Sequence, residues 1–231
     1  MPIGVLTNCF AVLAGGLFGS LIKNSVSEKI KSTLPILFGF CSIAIGVNSI
    51  IKASSMTPVV LAIIIGYIIG HSLNLEKHTK VFFTWLVEKM HLGGKEIDME
   101  FYVTAVALFC CSGFGWYSAL SEGITGDPSL LMSKAVLDGF TAMIFACELG
   151  KSVCVIPLPQ VFILFAVFLA GKLLANVLTP SMFADLSACG GVLTLAAGFR
   201  VSKIKSVELV DLMPALILVM PLSLLWTTLV G

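Results

Sequence analysis

The chain has 231 residues, 58% of them hydrophobic and only 12% charged, with a formal net charge of +1 and a mean hydropathy of +1.04. Soluble domains carry about 25% charged residues, so this composition belongs in a bilayer, and the near-neutral balance excludes the basic field that nucleic acid requires. About eight spans of some 20 residues each leave no room for a separate soluble domain, and the chain reads as one membrane domain.

In chain order, apolar runs bounded by Lys, Glu, Gly and Pro predict helices at about 3–22, 32–52, 57–74, 99–120, 128–149, 154–177, 182–200 and 208–230. No Lys or Arg stands between Met1 and Leu6, so the first run lacks the positive n-region of a cleaved signal peptide and is expected to be retained. The long connection after the third run sets Phe82, Phe83, Trp85, Leu86 and Met90 among Lys77, Lys80, Glu88 and Lys89. It reads either as an amphipathic helix at the cytoplasmic interface over about 75–95, or as an extension of the third span. In an alternating topology Lys23, Lys29, Lys31, Lys77, Lys80, Lys89, Lys95, Lys151, Arg200, Lys203 and Lys205 all fall on one side. The positive-inside rule then places both termini outside.

The ends of the chain suggest a duplication. Phe10-Ala11-Val12 aligns with Phe165-Ala166-Val167, and Gly16 with Gly171 at the same offset. After short gaps Leu34, Gly39, Ser42, Ala44 and Gly46 meet Leu186, Gly191, Thr194, Ala196 and Gly198, and Pro58 meets Pro214. Because the first trio begins outside and the second inside, the expected architecture is all-α: two inverted three-helix repeats, about 3–74 and 154–230, flanking a central helix pair over about 99–149. Secondary transporters commonly use such repeats. Gly15, Gly16 and Gly19, Gly39 with Gly46, and Ala188, Gly190 and Gly191 allow close helix approach. The stretches Cys111 to Gly115 and Cys189-Gly190-Gly191 either pack tightly or break their helices, freeing backbone groups for a solute.

Ionisable groups inside apolar runs are the functional candidates, since a charge at the bilayer centre costs at least about 2.5–3.5 kcal/mol. Lys134 and Asp138 stand one helical turn apart on a shared face. They form either a structural pair or a cation or proton site at Asp138, with Lys134 as counter-charge or anion ligand. Asn8, Asn48, Ser112 and Thr194 are uncharged candidates, each either a solute ligand or bonded to a neighbouring helix; Asn8 is expected near the other polar groups of the outward half. Lys172 and Asp185 lie towards the outer face, where a lysine can snorkel and a carboxylate can sit at a positive helix N-terminus. Glu122 and Asp127 bracket a short Gly-containing loop, either a solvated turn or a cation-attracting entrance. The seven cysteines lie in or beside apolar runs and read as small buried residues.

Several strings together carry a resemblance: Met1-Pro2-Ile3-Gly4 with Asn8 and Gly15-Gly16, Leu34-Pro35 with Phe38-Gly39 and Cys41-Ser42, Glu122 to Asp127, Lys134 with Asp138, Ser187 to Gly191, and Met213-Pro214-Ala215-Leu216. The chain resembles the YdfK/YqgA-like family of bacterial membrane proteins, a domain-of-unknown-function family, over essentially its whole length. Glu148 departs from that family's pattern. The resemblance implies a bacterial inner-membrane protein and supplies no substrate.

The residues favour a transporter, or its near relative a channel, for a small polar solute or ion in the lipid bilayer, completed as a homodimer. The substrate-binding candidates are Lys134, Asp138, Asn8, Asn48, Ser112, Asp185, Lys172 and Glu122. A scaffold or sensor without transport is the alternative. No cofactor or metal is expected: His71, His78 and His91 sit at the cytoplasmic edge without ligand spacing. An enzyme is disfavoured because no HExxH or GxSxG stands in the chain.

Overall fold

Helix starts follow from residues that satisfy or lack a backbone N–H. The hydroxyls of Ser27, Ser112 and Thr179 and the carboxylate of Asp98 accept backbone N–H groups at the first turns of their helices. Pro157, Pro180 and Pro214 each stand first in theirs, where no N–H is needed. The computed structural model describes residues 1–89 and 98–230. It contains α1 (Ile3–Ile22), α2 (Glu28–Ile50), α3 (Met56–Ser72), α4 (Leu75–Lys89), α5 (Met99–Cys111), α6 (Gly113–Thr125), α7 (Ser129–Leu149), α8 (Pro157–Leu174), α9 (Pro180–Val201) and α10 (Pro214–Val230). Met90, His91 and Lys95 lie outside the described residues.

Among the described residues seven segments are long and apolar enough to cross a membrane, and an eighth counts if α3 and α4 form one bent span. The all-helical architecture is thus the one expected. One end of the bundle gathers Ser32, Asp98, Glu148 and Lys203; the other gathers Lys52, Thr125 and Pro180.

Four local features refine the simplest reading. The predicted fourth span breaks at Ser112, whose backbone is extended (φ −66°, ψ 137°), giving α5 and α6. The second glycine-rich stretch does not break: Cys189, Gly190 and Gly191 lie inside continuous α9. α4 is a helix of its own, turned 56° from α3 through Asn74, which takes a positive φ of 50° that asparagine tolerates better than most residues. A short 3₁₀ turn over Val210–Leu212 precedes α10, so the last helix begins at Pro214, six residues beyond the expected 208.

Small residues set the helix pairs. α1 lies along α7, α2 along α9, α3 against α10 and α6 against α8. A Cβ on Gly39 would stand 2.1 Å from Ser202 Oγ and 2.8 Å from the Gly198 carbonyl oxygen; one on Gly46 would stand 2.7 Å from the Gly191 carbonyl oxygen. In lipid, where apolar burial does not separate helix from solvent, such close backbone approach is a main source of association. The larger apolar cluster fills the space between α5, α7, α9 and α10, around Tyr102, Phe109, Phe145, Leu186 and Leu216.

Candidate functional site

A chain of amides and charges crosses the middle of the bundle. Lys134 and Asp138, both on α7, are paired through the Lys134 ammonium and Asp138 Oδ2. Asn8 of α1 donates its Nδ2 to the same oxygen at 2.8 Å. Gln160 of α8 donates Nε2 to Asn8 Oδ1 at 2.7 Å and approaches Asp138 Oδ2 at 3.5 Å. The anion fixes the order: a carboxylate accepts only, so Asn8 must turn its NH₂ to Asp138 and its oxygen to Gln160. Asn8 and Gln160 are fully buried and Lys134 is nearly so, whereas the Asp138 side chain is 13% exposed. Two oxygens have no donor among the described residues: Asp138 Oδ1, and the buried Gln160 Oε1.

The break at Ser112 adjoins this chain. Ending α5 there frees carbonyl groups that lipid cannot satisfy. The Trp116 indole N–H takes that of Cys110 at 3.0 Å, and Gln160 Nε2 approaches that of Phe109 at 3.4 Å. Ser112 Oγ in turn accepts the Gly115 N–H at the start of α6. Gly115 is small for a reason: a Cβ would lie 2.8 Å from Lys134 Cε and 2.9 Å from Ser112 Oγ.

Lys134 and Asp138 border a cavity of about 280 Å³, with Ser42, Ser49, Ser112, Thr141 and Thr194 supplying hydroxyls among apolar walls. It shares Ile45, Ser49, Phe114 and Leu137 with a vestibule of about 770 Å³ that reaches Lys52, Thr125 and Pro180. Along its flank, between α2 and α7, Cys41, Ile45, Leu137 and Phe140 are exposed. Cys41 is therefore no buried filler, unlike Cys9, Cys147 and Cys189.

The structure brings Lys134, Asp138, Asn8, Ser112 and Thr194 together, and sets Asn48 in the vestibule. The other three candidates lie elsewhere. Glu122 belongs to α6 rather than a loop, is 1% exposed, and accepts the Gly4 N–H at 2.8 Å at the start of α1. The positive N-terminus of α1 stabilises that carboxylate. Asp185, also buried, accepts the Ser55 N–H at 2.8 Å just before α3 and the Ser223 hydroxyl at 2.6 Å. Lys172 is exposed near the end of α8, where its backbone passes Gly123. Asp127 does stay in the turn, where hydrogen bonds from the Ser129 hydroxyl and N–H hold its carboxyl below the usual range.

A second cluster, at the Lys203 end, was not legible. Arg200 Nη2 lies 2.8 Å from Glu76 Oε1, and its Nη1 donates to the Val207 carbonyl. Glu76 Oε2 accepts the Val210 N–H, while the Glu76 N–H donates to Asp211 Oδ1 at 2.8 Å. His71, without ligand spacing to the other histidines in sequence, stands beside Glu208 and Asp211. In sequence Arg200 is one of the basic residues that fall on one side, and Glu76 is one position in the connection over about 75–95. Gln160 could have been noticed as an amide directly after Pro159, at the head of an apolar run.

Residues 3–224 match a family described as "Protein of unknown function (DUF554)". The chain belongs to that family. Among DUF554 relatives, it is similar to the "Uncharacterized protein YqgA" of Escherichia coli (strain K12), 41% identical over 231 residues covering 98% of each chain. It is also similar to the "Uncharacterized membrane protein YdfK" of Bacillus subtilis (strain 168), 25% identical over 219 residues covering 93% of each. No solved structure matches this DUF554 chain. The family inferred from the sequence strings is therefore the one shown, and its helices make the chain a multi-pass membrane protein.

Proposed function

We propose that the protein moves a small polar solute or ion across a bacterial inner membrane, with Asp138 and Lys134 at the binding site and both termini outside. The observation that carries this reading is the cavity: the pair borders open space that adjoins a vestibule at one end of the bundle, the two sharing Ile45, Ser49, Phe114 and Leu137. A scaffold would have no use for a charged pair beside such a path, since placing ionisable groups in a membrane is costly. Asp138 Oδ1 and the ammonium of Lys134 are the recognition elements, with the Asn8–Gln160 amides holding Oδ2 in place. A cation or proton arriving at Asp138 displaces the ammonium; an anion binds Lys134 instead.

Inverted repeats support alternating access as the mechanism. In the sequence alignment Gly39 corresponds to Gly191 and Gly46 to Gly198. In space Gly39 meets Gly198 and Gly46 meets Gly191, the exchange that a two-fold relation between α2 and α9 requires. The corresponding helices α1 and α8 contribute the Asn8–Gln160 bond. A second copy over the exposed α2–α7 flank would keep lipid from the polar cavity floor, which favours the homodimer.

Uptake of a panel of ions and metabolites into proteoliposomes tests the reading. Asp138→Asn, folded by size-exclusion profile, is expected to abolish cation or proton coupling, and Lys134→Ala to change selectivity. Uptake at the parental rate by the folded Lys134→Leu/Asp138→Asn variant would reduce the pair to a structural role. For orientation, single cysteines on a cysteine-free background at positions 125 and 203 should label from outside and inside respectively.

A further inference from the structure

At the Lys203 end, three donor atoms from three separate segments converge. His71 lies in the last turn of α3, Glu208 in the connection after α9, and Asp211 in the 3₁₀ turn before α10. His71 Nδ1 is 3.3 Å from Glu208 Oε2 and 3.4 Å from Asp211 Oδ2, and the three ligand atoms lie within 4.8 Å of one another. Imidazole nitrogen and carboxylate oxygen bind zinc at about 2.0–2.2 Å, so neighbouring ligands around a tetrahedral ion stand roughly 3.3–3.5 Å apart. Two edges of this triangle already have that length. We propose that His71, Glu208 and Asp211 bind a divalent first-row transition metal, zinc being the type, with water completing the coordination.

The surrounding charges support the assignment independently. Two ion-paired groups, the triad itself and the Glu76 group joined to it by the Glu76 N–H on Asp211, hold four carboxylates, Glu76, Glu100, Glu208 and Asp211, against two permanent cations, Arg200 and Lys80. A surplus of negative charge around partly buried groups favours a cation. The ligands are also held from behind, as metal ligands usually are. The Glu76 N–H occupies Asp211 Oδ1 and leaves Oδ2 facing His71. Tyr67 stacks on the His71 ring at 5.6 Å and directs its hydroxyl to Glu208 Oε2 at 3.4 Å. His71 and Glu208 are exposed, giving an ion access from water, while Asp211 is buried. An imidazole ligand selects against magnesium and calcium, which prefer all-oxygen sites. A bound ion would clamp the end of α3 to the connection between α9 and α10. This site is independent of the transport reading and stands or falls separately from it.

The test uses the purified full chain in detergent, stripped with chelator and titrated with Co²⁺, then Zn²⁺. Co²⁺ is expected to produce the visible absorption of a tetrahedral centre, bleached by one equivalent of Zn²⁺ and unaffected by Mg²⁺. Because Asp211 also binds the start of α4, the variants chosen are His71→Ala and Glu208→Gln, at exposed positions. Each should keep the metal-free unfolding temperature of the parent and lose Zn²⁺ affinity by at least about tenfold, the lower end of what losing even an outer-sphere partner costs. Absence of Co²⁺ and Zn²⁺ binding in the parent overturns the proposal. So does binding that is unchanged in both variants, which would move the ion to another group such as the Cys41 thiol.

Discussion

Around Asp138 one carboxylate meets one ammonium and two amides, whereas around Glu76 carboxylates, a guanidinium and backbone N–H groups from several elements interlock. The first cluster is spare: its members come from α1, α7 and α8, Asp138 borders a cavity, and among the described residues Asp138 Oδ1 and Gln160 Oε1 have no donor. The second is more nearly closed: both Glu76 oxygens and both Asp211 oxygens have neighbours, the side chains of Arg200, Glu76 and Asp211 are at most 5% exposed, and among the described residues Arg200 Nε, 3.5 Å from Glu100 Oε1, is left without a hydrogen bond. A buried charge with all partners in place resists exchange, because every alternative leaves a group unpaired. One with spare lone pairs and adjacent space can trade a partner for a solute. The contrast therefore separates Arg200 and Glu76, which tie helices together, from Asp138, which is suited to binding.

The largest expected effect breaks the closed cluster. Among the described residues, Arg200→Leu leaves Glu76 with the Val210 N–H and, as its one ion-pair partner, Lys80, 3.5 Å away, and should cost on the order of 3–5 kcal/mol. The unfolding midpoint in detergent should fall well below that of every variant at the central cluster. A midpoint equal to the parent's would mean that the cluster does not tie the helices.

Next comes the comparison of single with double changes at the centre. Lys134→Ala strands Asp138, with a cost towards the lower end of roughly 3–5 kcal/mol because the cavity admits water to the carboxylate. Lys134→Leu/Asp138→Asn removes both charges and should unfold nearer the parent than Lys134→Ala does. The reverse order in thermal unfolding would show that the pair itself, rather than its neutrality, supports the fold.

Gln160→Leu should have a smaller effect, about 1–3 kcal/mol, because Asn8 Oδ1 loses its donor while the ion pair survives. If the amides hold Asp138 in place, transport falls more than stability does, a split visible by comparing uptake with the unfolding midpoint. The smallest effect is expected for Ser112→Ala, which removes the hydroxyl that accepts the Gly115 N–H and costs about 0.5–2 kcal/mol. A cost well above that range would indicate that the helix break is anchored by this one side chain.

Local chemistry made much of the molecule legible. Spans are read from the length of apolar runs, and the i, i+4 spacing of Lys134 and Asp138 places both on one face. That Gly39 and Gly46 allow close helix approach also lies in the sequence, although not which residues they meet. By contrast the break at Ser112 was one of two readings, and α9 shows that adjacent glycines alone do not break a helix. In α5–α6 Ser112, Trp116 and Gln160 accept or supply the hydrogen bonds of the interrupted backbone, and two of those three lie near the break.

What the sequence by itself determined is a helical membrane protein, its approximate spans and its central ion pair, because helix periodicity and bilayer thickness act over one segment at a time. Only the tertiary structure decided what the isolated polar residues do. Gln160 reaches Asn8 across 152 positions, Glu122 reaches Gly4 across 118, and Glu76 and Asp211 meet across 135. A buried polar group must find a partner wherever the packed helices offer one, and that choice depends on which backbones can approach closely, not on neighbours along the chain.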